Sequence, residues 1–311
     1  MDRAARPPHL SLRLQRLIPP ALFIAPAALA LILTMAAPMA AAILLSLQRW
    51  DGMSPPRWAG FSNYLNLMQD DTFLRALWHT AYFTTCTVIL QTVLPLLIAS
   101  LLNSGIRGSA VFRTLYFMPV IISLAISGLL WAMLFEPNFG AINSLLRAIG
   151  LGAFTPLWLA DPNTVMPSII IVSVWQSLGF YLVIFFAALQ SVPNELYEAA
   201  ELDGANAWSR FLHVTVPTIR PVILIVIVLN TINGIKVFDQ IWVMTAGGPD
   251  YASATLGTYL YSIAFGAMGA SNSRLGYATA ISVVILLLSI VVSVIQIRLG
   301  RRPDLDSQIE L

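Results

Sequence analysis

Two clusters of polar side chains lie inside otherwise apolar sequence. They are the first candidates for binding chemistry. One is Asn230, Thr231, Asn233, Lys236, Asp239 and Gln240, within the run Val222–Val243; the other is Trp175, Gln176, Gly179 and Tyr181, within Val165–Gln190. At helical spacing Asn230, Asn233 and Val237 share a face, as do Asn233, Lys236 and Gln240. Amides both donate and accept, and aromatic faces pack on sugar rings, so this set suits a hydroxyl-rich ligand. Ionisable residues in a membrane span default to a functional reading.

Plainer readings stand beside that one. Gln176 can hydrogen-bond between helices and Trp175 can simply pack. Lys236 lies about 24 Å up a helix from Arg220 at a rise of roughly 1.5 Å per residue. There it can snorkel outward and pair with Asp239 at i,i+3. A third reading makes Lys236 and Asp239 an ion or proton relay in a secondary transporter.

Several kinds of chemistry are missing from the sequence. No G-x-x-x-x-G-K-[ST] phosphate loop occurs. His9, His79 and His213 fall in separate segments without metal-ligand spacing. No G-x-S-x-G elbow and no paired carboxylates within an apolar run suggest hydrolysis. Cys86 is the single cysteine, which excludes an internal disulfide, and its apolar setting points to an inert side chain. The expectation is a protein that is not an enzyme and holds no metal or cofactor of its own.

The two polar clusters must be positioned by membrane helices. Hydrophobic residues make up 58% of the 311 and charged residues 10%, against about 25% charged in a soluble domain. Mean hydropathy is +0.77. Six apolar runs follow one another: Ala21–Leu47, Ala81–Leu102, Thr114–Phe135, Val165–Gln190, Val222–Val243 and Tyr277–Ile297. The first exceeds the ~20 residues needed to span a bilayer and is too long for a signal peptide. A kink is expected in it near Pro26 or Pro38. Amphipathic pieces are expected around Asp70–Trp78, Ile142–Ile149 and Thr258–Phe265.

The fold expected is therefore all-α: a polytopic membrane protein of six transmembrane helices, with a short segment 1–20, a core 21–297 and a tail 298–311. Arg3, Arg6, Arg13, Arg16, Arg107, Arg113, Arg210, Arg220, Arg298, Arg301 and Arg302 fall on one side of such a topology. Only Arg49, Arg57, Arg75, Arg147 and Arg274 fall on the other. The positive-inside rule then puts both termini in the cytoplasm. The small net charge of +2 suggests no nucleic-acid partner.

The connector 191–221 joins the two runs that carry the polar clusters. Its spacing predicts a helix over Glu195–Leu202, capped by Asn194 or Ser191, with acids in its first turns. Gly204 would end it in a left-handed conformation. A second helix, Ala207–Thr215, would stop before Pro217. Two short helices meeting at a glycine make a compact cytoplasmic knob. The alternative is a linker lying on the lipid surface, with Trp208, Phe211 and Leu212 dipping in.

The run Glu198-Ala199-Ala200, then Asp203-Gly204-Ala205, Phe211, Pro217 and Pro221, resembles the EAA motif of permease subunits of bacterial ABC importers. The form E-A-A-x-x-D-G-A is similar to that of the carbohydrate-uptake group, the maltose and glycerol-3-phosphate type permeases. Flanking Pro193, Glu195, Leu196 and Tyr197, and later Phe238-Asp239 and Gly247-Gly248-Pro249, extend the likeness over the six-span core.

The resemblance implies a multi-pass protein of the bacterial cytoplasmic (inner) membrane. Glu198, Ala199, Ala200, Asp203, Gly204, Phe211 and Pro217 would couple it to a separate ATPase, present in two copies, which binds the ATP and magnesium. A second, homologous permease would complete the pore. A periplasmic or lipid-anchored binding protein would deliver the cargo: a mono-, di- or oligosaccharide, or a related polyol or glycerol phosphate. That cargo would touch the fourth and fifth spans, at Trp175, Gln176, Gly179, Tyr181, Asn230, Asn233 and Lys236.

Overall fold

The computed structural model describes residues 22–105, 107–266 and 274–300. The arginine-bearing segment 1–20 and the tail beyond Gly300 lie outside the described residues. Helix α1 is Leu22–Ser46. A two-stranded antiparallel hairpin follows, β1 (Gln48–Arg49) with β2 (Arg57–Trp58), Gln48 opposite Trp58. Next come α2 (Ser62–Leu67), α3 (Asp71–Asn103), α4 (Ser109–Ile121), α5 (Leu124–Leu134), α6 (Ala141–Ala148) and α7 (Val165–Gln190). The connector forms α8 (Asn194–Leu202) and α9 (Ala207–Thr218). The described residues end with α10 (Arg220–Ile235), α11 (Asp239–Thr245), α12 (Leu256–Phe265) and α13 (Leu275–Gly300).

By length and composition α1, α3, α7 and α13 can each cross a membrane. The fourth apolar run matches α7 at both ends. The second run and the amphipathic piece before it are one 33-residue helix, α3. At about 1.5 Å per residue, α3 outreaches a ~30 Å hydrocarbon core. In α1 the irregularity is a π-turn, Ile32–Ala36, one turn before Pro38, and the helix is regular at Pro26. Pro38 has no N–H to offer the preceding turn, and the wider turn accommodates that.

The third and fifth runs are not continuous helices. The third breaks at Ile122–Ser123, where α4 and α5 meet at 97°. Pro119 weakens the last turn of α4, Ile122 turns extended, and the Ser123 hydroxyl caps α5 by accepting from the Ile126 amide at 3.3 Å. The fifth run breaks after Ile235. Lys236 ends α10 rather than riding on an uninterrupted span, and α11 starts at Asp239. The Asn-Thr-Ile-Asn-Gly sequence before the break is poor in strong helix formers. Helix α10 alone has 16 residues, short of the ~20 of a full crossing.

Helix α3 is the central element, packed along α7 and α10, while α4 also packs on α7 and α13 on α1 and α10. Lipid tails are as apolar as leucine, so close approach and dispersion must hold such helices together. Two glycines permit it. A Cβ on Gly179 of α7 would stand 2.1 Å from the Tyr116 carbonyl oxygen of α4. A Cβ on Gly234 of α10 would stand 2.8 Å from Thr84 Oγ1 of α3. One buried cluster gathers Leu182, Phe185 and Leu189 of α7 with Leu96 and Ala99 of α3 at the connector end. A second surrounds Phe83, Phe135, Ile169 and Ile241 toward the other end.

A carboxylate clamps that other end. Asp70 caps α3 by accepting from the Thr72 and Phe73 amides at 3.0 and 3.1 Å. Its second oxygen accepts from the Tyr259 and Tyr277 hydroxyls at 2.6 and 2.7 Å. Partial burial alone would raise the pKa of Asp70; the four hydrogen bonds outweigh it and hold the carboxyl below its ordinary value. A carboxyl depressed on folding contributes stability above its unfolded pKa and loses it as pH falls through the folded one. Asp70→Ala is expected to destabilise the protein by about 1–3 kcal/mol. Thermal unfolding of the detergent-purified protein checks this. The gap between variant and parent should be full at neutral pH and close below pH ~4.

Candidate functional site

The α10/α11 break opens onto a cavity of about 340 Å³, which Leu124, directly after the α4/α5 break, also lines. Its walls come from α3 (Phe83, Thr87, Gln91), α5 (Leu124), α7 (Ser173, Gln176, Ser177, Tyr181), α10 (Asn230, Asn233, Gly234) and the break residues Lys236–Gln240. That volume is at the small end of the ~300–1,000 Å³ typical of small-molecule sites.

Backbone at membrane depth must find partners, and each break does so through a side chain. Gln176 Nε2 donates to the Ile122 carbonyl at 2.8 Å, spanning the α4/α5 break. Thr255 Oγ1 donates to the Val237 carbonyl at 3.2 Å, serving the α10/α11 break. Gln91 Nε2 bridges α3 to α7 by donating to the Ser173 carbonyl at 3.1 Å.

Other polar atoms are left over. Both amide atoms of Asn230 are buried without a partner among the described residues, as are Gln176 Oε1 and Gln240 Nε2. An unpaired buried polar group costs about 1–3 kcal/mol. Such a cluster at one cavity fits a wall meant for water or a polar ligand. Tyr181 is buried and approaches the Asn233 side chain. Asn233, Lys236 and Asp239 are exposed at the cavity mouth. Lys236 and Asp239 make no ion pair within 4.0 Å, so the i,i+3 pairing does not form; among the described residues the ion pair found is Glu201–Arg210.

Of the seven cargo candidates the cavity gathers Gln176, Tyr181, Asn230, Asn233 and Lys236. Trp175 and Gly179 face elsewhere. Trp175 packs edge-on against Trp131 at 5.3 Å, and Gly179 is the contact point with α4. Sequence reasoning missed Thr87, Gln91, Ser173, Ser177 and Phe238. Ser173, Gln176 and Ser177 form a polar stripe at helical spacing that the sequence displays, and Gln91 is a lone amide in an apolar run.

The connector is a second candidate site. Helix α8 begins directly after Pro193, whose fixed φ sets the first turn, and no side chain caps it, so neither Asn194 nor Ser191 does. Gly204 ends it at φ +78°, as the pattern implied. Asn206 caps α9, accepting from the Ser209 amide at 2.8 Å. Helix α9 does not stop before Pro217; it widens into a π-turn at Phe211–Thr215 and continues to Thr218. That wider turn accommodates the N–H Pro217 lacks.

The connector helices are tied by Arg210 donating to Glu201 at 2.8 Å and by Tyr197 Oη to Thr215 Oγ1 at 3.0 Å. Tyr197 and Phe211 pack onto the buried cluster of α3 and α7. Glu198, Ala199, Asp203, Gly204 and Pro217 are exposed, and Ala200 is half-buried. Leu202 (90% exposed) and Trp208 (62%) add bare apolar surface. Helix α9 turns into α10 at 73°, so the knob joins directly the helix that carries Asn230 and Asn233.

Residues 91–304 match the family described as "Binding-protein-dependent transport system inner membrane component". The chain belongs to this family. Its relatives include the diacetylchitobiose uptake system permease protein NgcF of Streptomyces coelicolor, 34% identical, the match covering 82% of this chain and 74% of that protein. The lactose transport system permease protein LacF of Rhizobium radiobacter is also 34% identical, over 90% of this chain and 93% of the relative. A solved chain of a bacterial ABC transporter importing alginate aligns with a TM-score of 0.81 at 24% identity, covering 95% of this chain and 99% of that one. At that identity the likeness speaks for the fold. The permease is thus a multi-pass membrane subunit of an ABC importer.

For this permease the unpaired Asn230 amide separates binding from folding. Asn230→Leu is expected to leave thermal stability unchanged or raise it by about 1 kcal/mol, because it removes an unsatisfied buried amide. Uptake should fall at least tenfold. Thermal unfolding of the purified variant together with uptake in cells reads both; a loss of stability would mean the amide has a structural partner.

Proposed function

We propose that this permease is one of two homologous membrane subunits of an ATP-driven importer of a saccharide: a mono-, di- or oligosaccharide, or a related polyol or glycerol phosphate. One observation carries the reading. The helices that line the cavity with amides and hydroxyls, α7 and α10, are the two that the connector α8–α9 joins. The names of NgcF and LacF, diacetylchitobiose and lactose permeases, support the saccharide class.

In this reading the chain comprises the segment 1–20, the permease core 21–297 and the tail 298–311. Both termini and the connector 191–221 face the cytoplasm of a bacterial inner membrane, supported by the arginine distribution. ATP and magnesium bind two copies of a separate ATPase subunit, and this chain holds no nucleotide site. Glu198, exposed on α8, accepts a charge-assisted hydrogen bond from a basic ATPase residue. Ala199 and Ala200 allow close seating, while Asp203 and Gly204 shape the bend. Phe211 and Pro217 link the knob to the membrane helices. Closure of the ATPase dimer pushes the knob, and α7 and α10 rock about the cavity between inward- and outward-open states. A periplasmic or lipid-anchored binding protein delivers the cargo. Gln176, Tyr181, Asn230, Asn233 and Lys236 contact it in transit, and Trp175 and Gly179 set the packing of α7 behind them.

The ion-coupled alternative, with Lys236 and Asp239 as a relay, lacks a supporting contact between those groups. Glu198→Lys is expected to reduce cargo-stimulated ATP hydrolysis by the reconstituted complex to its basal level while membrane insertion stays normal. Normal stimulated hydrolysis and uptake in that variant would defeat the coupling role.

A further inference from the structure

A second, larger cavity, about 560 Å³, lies under the β1–β2 hairpin, where α1 ends and α13 begins. Arg49 and Arg57 of the hairpin and Arg274 just before α13 line it, with Trp50 and Tyr277 as aromatic walls. The pocket is built rather than incidental. Asn63 Nδ2 donates to the Ser46, Gln48 and Gly276 carbonyls at 2.8, 2.9 and 3.3 Å, tying the end of α1 and the hairpin to α13. A Cβ on Gly276 would lie 2.0 Å from the Gln48 carbonyl oxygen, so hairpin and α13 touch through backbone.

The three guanidinium groups have no carboxylate partner among the described residues. Arg49 donates to Ser62 Oγ at 2.9 Å, and Arg274 lies over the Tyr277 ring at 4.3 Å. Asp51 is the one acid among the lining residues. One of its oxygens accepts from the Met53 and Ser54 amides and the Ser54 hydroxyl within its own turn. The Ser54 and Met53 amides hold its pKa at about 2, so it stays charged and engaged. Asp70 stands behind Tyr277, spent on its own four hydrogen bonds, and does not line the pocket. Three cations against one occupied acid leave a surplus of positive charge.

The place of the pocket narrows what can answer that charge. Helices α1 and α13 are both long and apolar enough to cross a membrane. The pocket joins the end of one to the start of the other, so it stands at headgroup level, whichever face of the membrane that is. Trp50, the exposed Trp58 and Tyr277 suit this level, where tryptophan and tyrosine collect. In the last turns of α1, Met39, Ile43 and Leu44 are exposed and offer apolar surface to acyl chains. The cavity proposed for cargo takes no wall from α1, α13 or the hairpin, so these arginines stand apart from it.

We propose that this pocket binds the phosphate headgroup of an anionic phospholipid, with the acyl chains along the exposed flank of α1. Guanidinium forks match phosphate oxygens in pairs. Basic side chains at the membrane surface attract anionic lipids. A zwitterionic headgroup brings its own cation and gains less from the surplus. The site does not depend on which cargo the permease carries.

The test uses the whole complex, this permease with its partner permease and the ATPase, stripped of lipid in detergent. Phosphatidylglycerol or phosphatidylcholine is titrated in, and bound lipid is counted by native mass spectrometry. The parent should show a phosphatidylglycerol site at least tenfold tighter than any for phosphatidylcholine. Arg57→Glu should weaken that site at least tenfold and Arg57→Gln by less. Thermal unfolding in phosphatidylcholine alone should match the parent; if the glutamate variant is unstable, the glutamine variant carries the test. Equal phosphatidylglycerol binding in parent and folded variant overturns the proposal. So does displacement of the lipid by inorganic phosphate or glycerol 3-phosphate, which would assign the arginines to a free phosphate. Unchanged lipid binding with a weaker response of ATP hydrolysis to purified binding protein would assign them to a protein partner instead.

Discussion

Every backbone N–H and C=O at membrane depth needs a partner inside the protein, because lipid offers none. A continuous helix meets this condition by itself and leaves nothing for a ligand. Among the described residues this permease departs from it at Ile122–Ser123 and at Lys236–Phe238; Leu124, next to the first break, and the residues of the second line the same cavity. The freed carbonyls of Ile122 and Val237 are met by Gln176 and Thr255. Gln176 thus has two tasks. Its Nε2 closes the break, and its Oε1 remains unpaired beside the cavity. Breaks of this kind place a polar site in an apolar layer without stranding the backbone.

The same helices carry that site's connection to the rest of the chain. Helix α7 runs unbroken from Gln176 to the connector, and α10 begins where α9 ends. The connector is held to them mainly by packing. The Glu201–Arg210 pair joins α8 to α9 within the connector, its side chains 71% and 30% exposed, and a surface pair of that kind is worth about 0–1 kcal/mol. The Tyr197 and Phe211 rings, set against the cluster of Leu182, Phe185 and Leu189, do more to fix the knob to the bundle. In the proposed coupling, a push on the connector would pass to the bundle through these packed side chains, which resist deformation.

Much of this was legible in the sequence, and the losses have physical causes. Val165–Gln190 was clear because an apolar run bounded by polar residues is a strong signal. Gly204 was clear because a helix needs a left-handed residue to end there. The α4/α5 break was hidden because the third run stays apolar through it, and the α10/α11 break because the polar residues around Lys236 read as one face of a helix rather than as its end. Apolar composition marks membrane depth and is silent about helix continuity. The helix rise that put Lys236 on a span assumed a continuity the chain lacks. The Ile122–Gln176 bond joins residues 54 apart, beyond any local pattern. Spacing placed Trp175, Gln176 and Gly179 on a helix but could not say which neighbour each would meet. The end of α9 was misplaced because a π-turn lets a helix pass through Pro217.

The absence of a Lys236–Asp239 pair follows from the same break. Lys236 closes α10, where the helix dipole favours a cation, and Asp239 opens α11, where it favours an anion. A helix end generally favours a charge of the matching sign by about 0.3–1 kcal/mol at an exposed position. Holding two mobile side chains together at an exposed site would cost rotamer entropy for a comparable return. Both groups therefore stay free at the cavity mouth, one of each sign. Around them the wall is neutral: amides, hydroxyls and aromatic rings. A wall with balanced charge and many neutral donors and acceptors can hold a polyhydroxylated molecule through several weak contacts. Individually weak contacts of that kind suit the transit role proposed for the cavity.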